Sequence, residues 1–457
     1  MERWAEQTLT GWGRYPTSAC LATRAERTKD LSSALKDRGG ASVLAYGYGR
    51  SYGDAALISD GKAVLTRRLN RILAFDPITG WVRCEAGVSI KELNEIFIAR
   101  GYFPPVVPGT QFVTVGGGLA NDIHGKNHHV DGSFADHVRH VDVLTASGEI
   151  VRCDADIESD LFWATVGGLG LTGIILALDL KLCPIESTLI EMESVRVENL
   201  DHFFEVNAES SHYTHTVSWI DSVTKGAAMG RGIYMRGRHA PAGTPERVGL
   251  LGKIANTMAP FMNVPINGPN WLMNSATMRA FNIAYFRKHP KGKRAANAHY
   301  EPFFFPLDFV QNWNRIYGKR GMLQYQLVVP HDPENRAIKT VLETVTNAGL
   351  ASFLSVIKEF GDNVHGGLSF PSPGITLALD FPNTGARLLD MLNRLDAIVT
   401  DAGGRVYLGK DARLSKAQFR AMYPNWEDWK TVRDQWDPNH VFQSQLGRRL
   451  GLVGDIL

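Results

Sequence analysis

The chain has 457 residues, of which 44% are hydrophobic and 21% are charged, so it is long enough for more than one globular domain and too apolar to be disordered. Its 49 Lys and Arg residues nearly balance its 47 Asp and Glu residues, which argues against nucleic acid as a partner. No apolar run reaches the roughly 20 residues of a membrane span, and residues 1–20 lack the apolar core of a signal peptide.

Short strands, two helices and glycine-rich loops alternate up to about residue 187. Ser89 and Glu92 have the spacing of a capping box, which predicts a helix that begins there and ends at Gly101. A shorter helix is predicted at Asp160–Val166. Strands are predicted at Val43–Tyr46, Trp81–Glu85, Val138–Thr145, Glu149–Cys153 and Ile174–Leu182. The pattern is mixed α+β rather than a regular βαβ array.

Beyond Pro184 the predicted strands become longer and alternate in polarity, as is typical of an antiparallel sheet. Two helical stretches end at Gly349 and Gly403. The strands are predicted at Tyr213–Asp221, Met322–Pro330, Ser352–Phe360 and Ile375–Phe381, and the helices near Asn335–Ala348 and Thr384–Ala402. We therefore expect an α+β fold with a second domain in which helices cover a sheet.

One segment stands apart in composition. Val248–Phe286 is apolar and rich in methionine but is interrupted by prolines, and it runs into a basic cluster at 287–294. Such a segment is consistent with a lipid-like substrate or an anionic membrane surface, and equally with a surface loop whose charges are solvated. The four cysteines are widely separated, which favours a reducing compartment. We expect a cytoplasmic protein and leave open a peripheral contact with the inner membrane face.

Two glycine-rich loops lie within 70 residues of each other, at 47–53 and 108–118. Glycines let backbone N–H groups converge on an anion, so two such loops suit an elongated dinucleotide. The segment 168–173 also matches G-x-G-x-x-G, but a helix is predicted before it and a strand after it. This order is the reverse of a Rossmann motif, so we reject a nicotinamide site there.

Several motifs resemble the vanillyl-alcohol-oxidase superfamily of flavoproteins and, within it, the oxidases of polyprenyl-phosphoryl ribose. They lie at 46–54, 108–110, 115–118, 121–129, 132–134, 161–168, 323–326 and 407–411. The resemblance implies a PCMH-type FAD-binding domain at 1–187, a substrate-binding domain at 188–405, and a segment at 406–457 that returns to the first domain. It also implies non-covalent FAD, because Arg50 and Ser51 stand in the loop where covalent members commonly carry histidine.

The resemblance implies residue roles as well. The expected FAD-binding residues are Gly47, Tyr48, Gly49, Arg50, Ser51, Tyr52, Gly53, Asp54, Gly109, Thr114, Val115, Gly116, Gly117, His124, Gly125, Lys126, Asn127, Ile174 and Tyr407. The expected substrate-binding residues are Lys126, Trp219, Gln324, Gln326, Lys358 and Asp380, and the expected catalytic residues are Lys410 and Tyr317. Independently of the resemblance, Gln324 and Gln326 are two residues apart on a predicted strand, so their side chains share one face. Two amides on one face can form hydrogen bonds with sugar hydroxyls.

No metal site is expected. His124 and His128 are four residues apart, but glycine and asparagine between them predict a loop, and no carboxylate or cysteine stands at ligand spacing. One departure from the family pattern is that mycobacterial members carry cysteine where Ala378 stands and asparagine where Thr376 stands. The chemistry here cannot depend on that thiol, and the sugar and lipid specificity can differ from that of the mycobacterial members.

The resemblance implies oxidation of the 2′-hydroxyl of a polyprenyl-phosphoryl-β-D-ribose to the 2′-keto sugar. This would be the first half of an epimerisation to the arabinose donor of cell-wall arabinan, completed by a short-chain reductase. Two alternatives stay open. One is an alditol or aldonolactone oxidase that acts on a soluble polyol, and the other is a non-catalytic flavoprotein partner of a reductase.

Overall fold

The computed structural model describes residues 4–245, 262–350, 352 and 354–454. Its strands are β1 (Ala5–Thr10), β2 (Thr17–Arg24), β3 (Val43–Tyr46), β4 (Lys62–Leu65), β5 (Ile72–Phe75), β6 (Trp81–Glu85), β7 (Tyr102–Phe103), β8 (Val138–Leu144), β9 (Ile150–Cys153), β10 (Ile174–Lys181), β11 (Cys183–Pro184), β12 (Leu189–Val197), β13 (His215–Ile220), β14 (Gly232–His239), β15 (Lys293–His299), β16 (Met322–Val329), β17 (Ser355–Phe360), β18 (Gly374–Pro382) and β19 (Arg405–Val406).

The helices lie between these strands and after the last of them. They are α1 (Thr28–Lys36), α2 (Ile90–Phe97), α3 (Val115–Ala120), α4 (His128–Asp131), α5 (Ser159–Thr165), α6 (Leu200–Ala208), α7 (Ser275–Lys288), α8 (Tyr300–Phe304), α9 (Arg336–Ala348), α10 (Ala386–Asp401), α11 (Lys416–Met422), α12 (Trp426–Trp436) and α13 (Gln445–Leu450). The mixture of helices with mainly antiparallel sheets confirms the α+β prediction.

Two sheets build the amino-terminal part of the molecule. The first has the order β1-β2-β4-β3, with β4 parallel to both β2 and β3, and the second has the antiparallel order β5-β6-β10-β8-β9. Helix α1 buries Leu31 and Leu35 beside Val43 of the first sheet. Helix α2 buries Leu93 and Phe97 beside β6 of the second sheet. The two layers leave the loops after β3 and before α3 on one side of the molecule, where they line the same cavity.

The capping box predicted at the start of α2 is confirmed. Ser89 Oγ accepts a hydrogen bond from the Glu92 amide at 3.2 Å, and the Ser89 amide donates to the Glu92 carboxylate at 2.7 Å. These bonds satisfy amides that the first helical turn leaves without partners. The helix continues as a 3-10 turn to Arg100 and ends at Gly101, whose φ of 78° is a conformation that favours glycine.

An eight-stranded antiparallel sheet forms the second part of the molecule, in the order β15-β12-β14-β13-β17-β18-β16-β19. One face packs against the apolar sides of α6, α9 and α10 and forms a large buried core. The other face carries Gln326, Ala378 and Val356, because these residues lie directly opposite one another in the register of β16, β18 and β17. This second face forms a wall of the cavity described below.

The carboxyl-terminal residues contact the amino-terminal sheets. Phe442 forms a β-bridge with Val43, and Arg449 donates to Asp54 at 2.8 Å and to Asp411 at 2.9 Å. Arg433 is fully buried and pairs with Asp437 at 3.0 Å. These contacts fasten the residues after β19 to the first sheets.

The apolar, proline-interrupted segment 248–286 is partly helical. Residues 248–261 lie outside the described residues, whereas 275–288 form α7, and Lys293 and Arg294 begin β15. Ile266 and Trp271 expose 75% and 71% of their surfaces. In the described part of the chain, no helix combines the length and apolar character needed to cross a membrane.

Candidate active site

A cavity of about 300 Å³ lies between the two glycine-rich loops and the eight-stranded sheet. The loops after β3 and before α3 form one wall. The opposite wall carries Gln324 and Gln326 of β16, Val356 and Lys358 of β17, and Thr376 and Ala378 of β18. Polar and cationic side chains therefore face a surface that consists largely of backbone.

The first glycine loop presents unused backbone donors to this cavity. Within the described residues, none of the amides of residues 47–51 donates a hydrogen bond to another part of the chain. Gly49 has a φ of 62°, and a Cβ placed there would lie 2.1 Å from the hydroxyl of Tyr46. Tyr46 holds the loop by donating to the Thr10 carbonyl at 2.8 Å. The loop is thus a fixed set of donors that can receive a pyrophosphate.

The second glycine loop serves packing and binding at different positions. A Cβ at Gly116 would lie 2.7 Å from the Cβ of Ala86, so this glycine is needed for the protein's own packing. Gly109 also lines the cavity, and a Cβ placed on it would meet nothing within 4 Å. Thr114 caps α3 by accepting from the Gly117 amide at 3.1 Å. Gly109 is therefore the position in this loop where a side chain would enter the cavity without disturbing the fold.

Three buried polar atoms at the cavity lack hydrogen-bond partners in the described structure: Nε of Arg50, Oδ1 of Asn121 and Nδ1 of His124. Arg50 lies over Trp12, with 4.1 Å between its guanidinium carbon and the ring centre. Buried polar atoms without partners are rare in native proteins unless a ligand completes them. Together with the free loop amides, these atoms fit the dinucleotide FAD.

His124 and Gln326 connect the two walls. Gln326 Nε2 lies 2.8 Å from His124 Nε2, so the amide donates to a neutral imidazole. Burial lowers the pKa of His124 well below its ordinary value, and the charges of Lys358, His128 and Lys410 lower it further. His124 is therefore neutral near pH 7 and offers Nδ1–H as a donor.

Lys410 lies on the 3-10 turn Leu408–Lys410, directly after β19. The Tyr407 amide donates to the Gln326 carbonyl at 2.9 Å and fixes this turn against the sheet. The Lys410 ammonium lies 4.0 Å from the centre of the Tyr52 ring. Burial lowers the pKa of Lys410 to about 8, although the nearby Asp380 carboxylate acts in the opposite direction. Lys410 therefore gives up its proton more readily than an exposed lysine does.

Asp380 is the carboxylate beside this lysine. It is fully buried, Gln324 donates to its Oδ1, and its Oδ2 has no partner in the described structure. Burial raises the pKa of Asp380 to about 7, against the opposing effects of the Gln324 amide and the Lys410 ammonium. The charge of each group favours the charged form of the other, so the ammonium and the carboxylate titrate as a coupled pair.

Two further lysines lie near each other, and one of them, Lys358, is close enough to Lys410 for that charge to affect its pKa. Lys358 donates to the Gly125 carbonyl at 3.3 Å, and Lys126 donates to the Phe304 carbonyl at 3.0 Å. Burial, followed by the charges of Lys126 and Lys410, lowers the pKa of Lys358 to about 7. Burial lowers the pKa of Lys126 to about 8. Such a group of amines favours an anionic ligand, because an anion would relieve their mutual repulsion.

Most of the predicted site residues line this one cavity. They are Gly47, Tyr48, Gly49, Arg50, Ser51, Tyr52, Gly109, Thr114, Gly116, Gly117, His124, Gln324, Gln326, Lys358, Tyr407 and Lys410. Ten other predicted residues are not part of its lining: Gly53, Asp54, Val115, Gly125, Lys126, Asn127, Ile174, Trp219, Tyr317 and Asp380.

Several residues of the second group have structural contacts that explain their position. Asp54 pairs with Arg449, and Gly53 packs so tightly that a Cβ would lie 1.7 Å from the Asp411 carbonyl oxygen. Val115 and Ile174 belong to the buried cores of the first sheets. Asn127 donates to the Pro105 carbonyl at 2.8 Å. These residues do not line the cavity but pack against or bond to the segments that form its walls.

The two predicted aromatic residues also lie outside the lining. Trp219 packs against Tyr285 of α7, with 4.7 Å between ring centres, and its partner across the sheet is the cavity residue Val356. Tyr317 is buried beside Tyr52 and Trp313, and its hydroxyl has no partner in the described structure. Tyr317 lies close enough to Asp380 for that charge to raise its pKa, after the larger effect of burial.

The cavity residues that were not predicted from sequence include Trp12, Asp308 and Trp313. The rings of Trp12 and Trp313 meet edge to face with 5.7 Å between centres. Asp308 accepts from the Gln111 amide at 2.8 Å, and burial raises its pKa to about 6. Trp12 lies between Gly11 and Gly13, and this G-x-G pattern could have indicated a further loop at the site. Asp308 and Trp313 lie in segments without a recognisable motif.

The segment 168–173 also borders the cavity, through Leu169, Gly170 and Gly173. It follows α5 and precedes β10, which is the inverted context that argued against a Rossmann motif. In the described part of the chain, no cluster of three or more His, Cys, Asp or Glu side chains has the arrangement of a metal site.

The glycine loops with free amides and the buried lysines beside them define the class of protein, which is an FAD-dependent oxidoreductase. Two family models agree with this class. The model of an FAD binding domain matches residues 21–154, and the model of D-arabinono-1,4-lactone oxidase matches residues 381–450.

Curated relatives narrow the assignment. The chain is 37% identical to decaprenylphosphoryl-β-D-ribose oxidase of Mycolicibacterium smegmatis, over 97% of both chains. It is 33% identical to an uncharacterised protein of Streptomyces coelicolor, over 80% of this chain and all of the relative. It is 22% identical to L-gulono-1,4-lactone dehydrogenase of Mycobacterium tuberculosis, over 96% of this chain and 98% of the relative. The chain belongs to the decaprenylphosphoryl-β-D-ribose oxidase family.

Proposed function

We propose that this enzyme oxidises the 2′-hydroxyl of a polyprenyl-phosphoryl-β-D-ribose to the 2′-keto sugar. The observation that carries the proposal is the buried pair of Lys410 and Asp380 beside Gln324, on the same sheet face as Gln326. A secondary alcohol needs a base for its proton, and the amides are suited to hold neighbouring hydroxyls. The family relationship supports the ribose and the lipid-linked phosphate.

Alcohol oxidation breaks one C–H and one O–H bond and forms a C=O bond. Bound FAD supplies the acceptor for the hydride that leaves the sugar carbon. Lys410 in its neutral form takes the hydroxyl proton, and the Asp380 carboxylate stabilises the resulting ammonium. Gln324 holds Asp380 in position, while Gln326 and neutral His124 bridge the walls and orient the sugar. Lys358 and Lys126 provide positive charge for the phosphodiester.

The product defines what must follow. A 2′-ketone can return to either configuration at that carbon, so epimerisation to the arabinose form needs a second, reducing enzyme. We propose a short-chain reductase for this step. We also propose a peripheral contact with the inner membrane face, supported by the exposed Ile266 and Trp271 and by the basic residues 287–294.

The test uses substrate carrying deuterium at C2′. Oxidation at that carbon predicts loss of the label to the flavin, a slower reductive half-reaction and a keto product that regains hydrogen at C2′ when reduced with borohydride. Label retained in the product contradicts the proposal. A soluble ribose phosphate without a prenyl chain serves as the comparison and should react with a much lower kcat/KM.

A soluble aldonolactone is the second candidate substrate, because residues 381–450 match the D-arabinono-1,4-lactone oxidase model. Under that alternative, arabinonolactone would reduce the flavin at least as fast as lipid-linked ribose. If the protein is a flavoprotein without turnover, neither substrate would reduce its flavin.

A further inference from the structure

A second cavity, of about 430 Å³, lies beside α7, away from the flavin site. We call it the basic pocket and define it by Thr224, Lys225, Arg231, Arg279 and Arg287. Within the described residues, no residue lines both this pocket and the first cavity. None of the residues that have a role in the proposed oxidation lines the basic pocket.

The charges in the basic pocket are poorly balanced. Lys225, Arg279 and Arg287 have no carboxylate partner among the described residues, and only Arg231 is paired, with Asp221 at 2.8 Å. The pocket consequently carries a net positive charge. Like charges gathered around one concavity repel each other and are relieved by an anion between them.

One wall of the pocket is held rigid by buried polar contacts. Arg231 donates through Nε and Nη2 to Asp221 Oδ2, at 3.0 and 2.8 Å. Asp221 is fully buried, and Thr224 and Asn282 donate to it at 2.7 and 2.9 Å. Phe286 lies under the Arg231 guanidinium, with 4.7 Å to its ring centre. The Nη1 group of Arg231 has no acceptor in the described structure and is available to a ligand.

Helix α7 supplies the other wall. Arg279, Ile283 and Arg287 are spaced four residues apart, so their side chains follow one side of the helix. The two arginines are separated by about 12 Å along the axis, with Ile283 between them. Guanidinium groups bind phosphate oxygens through paired N–H donors, and Ile283 and Phe286 offer an apolar surface to an attached organic group.

We propose that the basic pocket binds the phosphate group of a phosphate ester, as a site separate from the sugar cavity. The same chemistry is available from a phospholipid headgroup and from soluble phosphate.

The test compares two double variants of the FAD-loaded enzyme with equal loss of charge. Arg279→Gln/Arg287→Gln removes the helix wall of the pocket, whereas Lys29→Gln/Lys319→Gln removes two exposed charges that lie outside both the pocket and the basic residues 287–294. Flavin absorbance and Tm verify folding. One arm titrates inorganic phosphate by calorimetry, and the other measures sedimentation with vesicles of phosphatidylglycerol or of phosphatidylcholine.

We expect the arginine variant to bind at least about tenfold more weakly than the lysine variant, since each lost charged hydrogen bond is worth about 1.4 kcal/mol or more. Binding of inorganic phosphate identifies a site for soluble phosphate. Binding of phosphatidylglycerol vesicles without phosphate binding identifies a lipid headgroup site. Absence of binding in both arms, or equal weakening in the two variants, overturns the proposal.

Discussion

At the scale of single side chains, the chemistry of the cavity depends on amines and carboxylates whose pKa values have moved toward neutrality. Burial lowers the pKa of Lys410 and raises that of Asp380, and the charge of each group opposes the shift of the other. The same burial lowers the pKa of Lys358 to about 7. The lysine side chains of this region can therefore accept a proton from a ligand and can also stabilise a negatively charged group of the ligand.

Replacing Lys410 by methionine is expected to slow substrate-dependent flavin reduction by at least about a hundredfold, because the proton acceptor is lost while an apolar stem of similar length remains. FAD should stay bound, because the loop amides and Arg50 are untouched. Stopped-flow absorbance measures this effect. Lys319→Met, at an exposed lysine outside the cavity, is the control and should behave as the parent. An unchanged rate of flavin reduction in the Lys410 variant would contradict the proposed role of Lys410 as the proton acceptor.

The pH dependence follows from the same pair. The amine of Lys410 must be neutral to accept a proton, so kcat/KM should rise with pH through its pKa of about 8. Replacing Asp380 by asparagine removes the charge that favours the ammonium, so the midpoint of the rise should move to lower pH. Asp362→Asn, at an exposed carboxylate, should leave the profile unchanged. A midpoint that stays in place or moves upward contradicts the coupling.

The cavity contains no thiol among the described residues, since none of the four cysteines belongs to its lining. Thiol-directed reagents should therefore leave flavin reduction unaffected. Ala378→Cys places a sulfhydryl on the sheet face beside Gln326 and should make the reaction sensitive to such reagents. Ala378→Ser adds a similar volume without a thiol and should stay insensitive, as activity assays after incubation would verify.

At the scale of elements, glycine has different tasks in the two loops. Gly53 and Gly116 are required by close packing, whereas Gly109 faces open cavity. The sequence predicts both loops but does not distinguish their glycines, because a motif shows where the backbone lacks side chains and not which atoms pack against it. Asp308 could not be predicted, because it reaches the cavity only through long-range folding of the chain.

Gly109→Ala provides a test of this distinction. The added methyl group should weaken FAD binding while leaving the unfolding free energy of the apoprotein unchanged, because it meets no protein atom within 4 Å. Gly366→Ala, which also meets nothing within 4 Å and lies outside the cavity, is the matched control. Flavin fluorescence titration measures affinity, and denaturant unfolding measures stability. Equal FAD affinity in both variants contradicts the assignment.

The strands that the sequence predicts well are those with apolar residues at alternating positions, such as β16 and β18. Helix α7 was missed because its apolar residues surround the helix and lack a single face, so no helical period is visible in 275–288. Strands β12, β14 and β15 pair across more than 50 intervening residues in places. Such pairing depends on tertiary contacts that local propensity does not encode.

At the scale of the whole molecule, the carboxyl-terminal residues connect the parts that surround the cavity. Arg449 joins Asp54, beside the first glycine loop, to Asp411, beside Lys410. The two carboxylates expose only 5% and 2% of their side chains. Arg449 thus adds to the direct contacts between the loop and the Lys410 turn, such as the hydrogen bond from the Tyr52 amide to the Gly409 carbonyl at 3.2 Å.

Arg449→Ala should lower the unfolding free energy by about 3–5 kcal/mol, because it leaves the buried Asp54 without a counter-charge and leaves Asp411 with only the charge of Arg413. The expected loss grows as pH rises above the carboxylate pKa values and diminishes in acid, since protonation removes the unpaired charges. Arg394→Ala, at an exposed helix position, is the control. Denaturant unfolding at several pH values measures both trends, and equal stability of the two variants contradicts the account.

The most direct test of the central claim is anaerobic mixing of the FAD-loaded enzyme with polyprenyl-phosphoryl-β-D-ribose, followed by visible absorbance. We predict stoichiometric loss of the oxidised flavin bands within a single turnover and formation of one keto sugar per flavin. Persistence of the oxidised spectrum at saturating lipid-linked ribose would contradict the account.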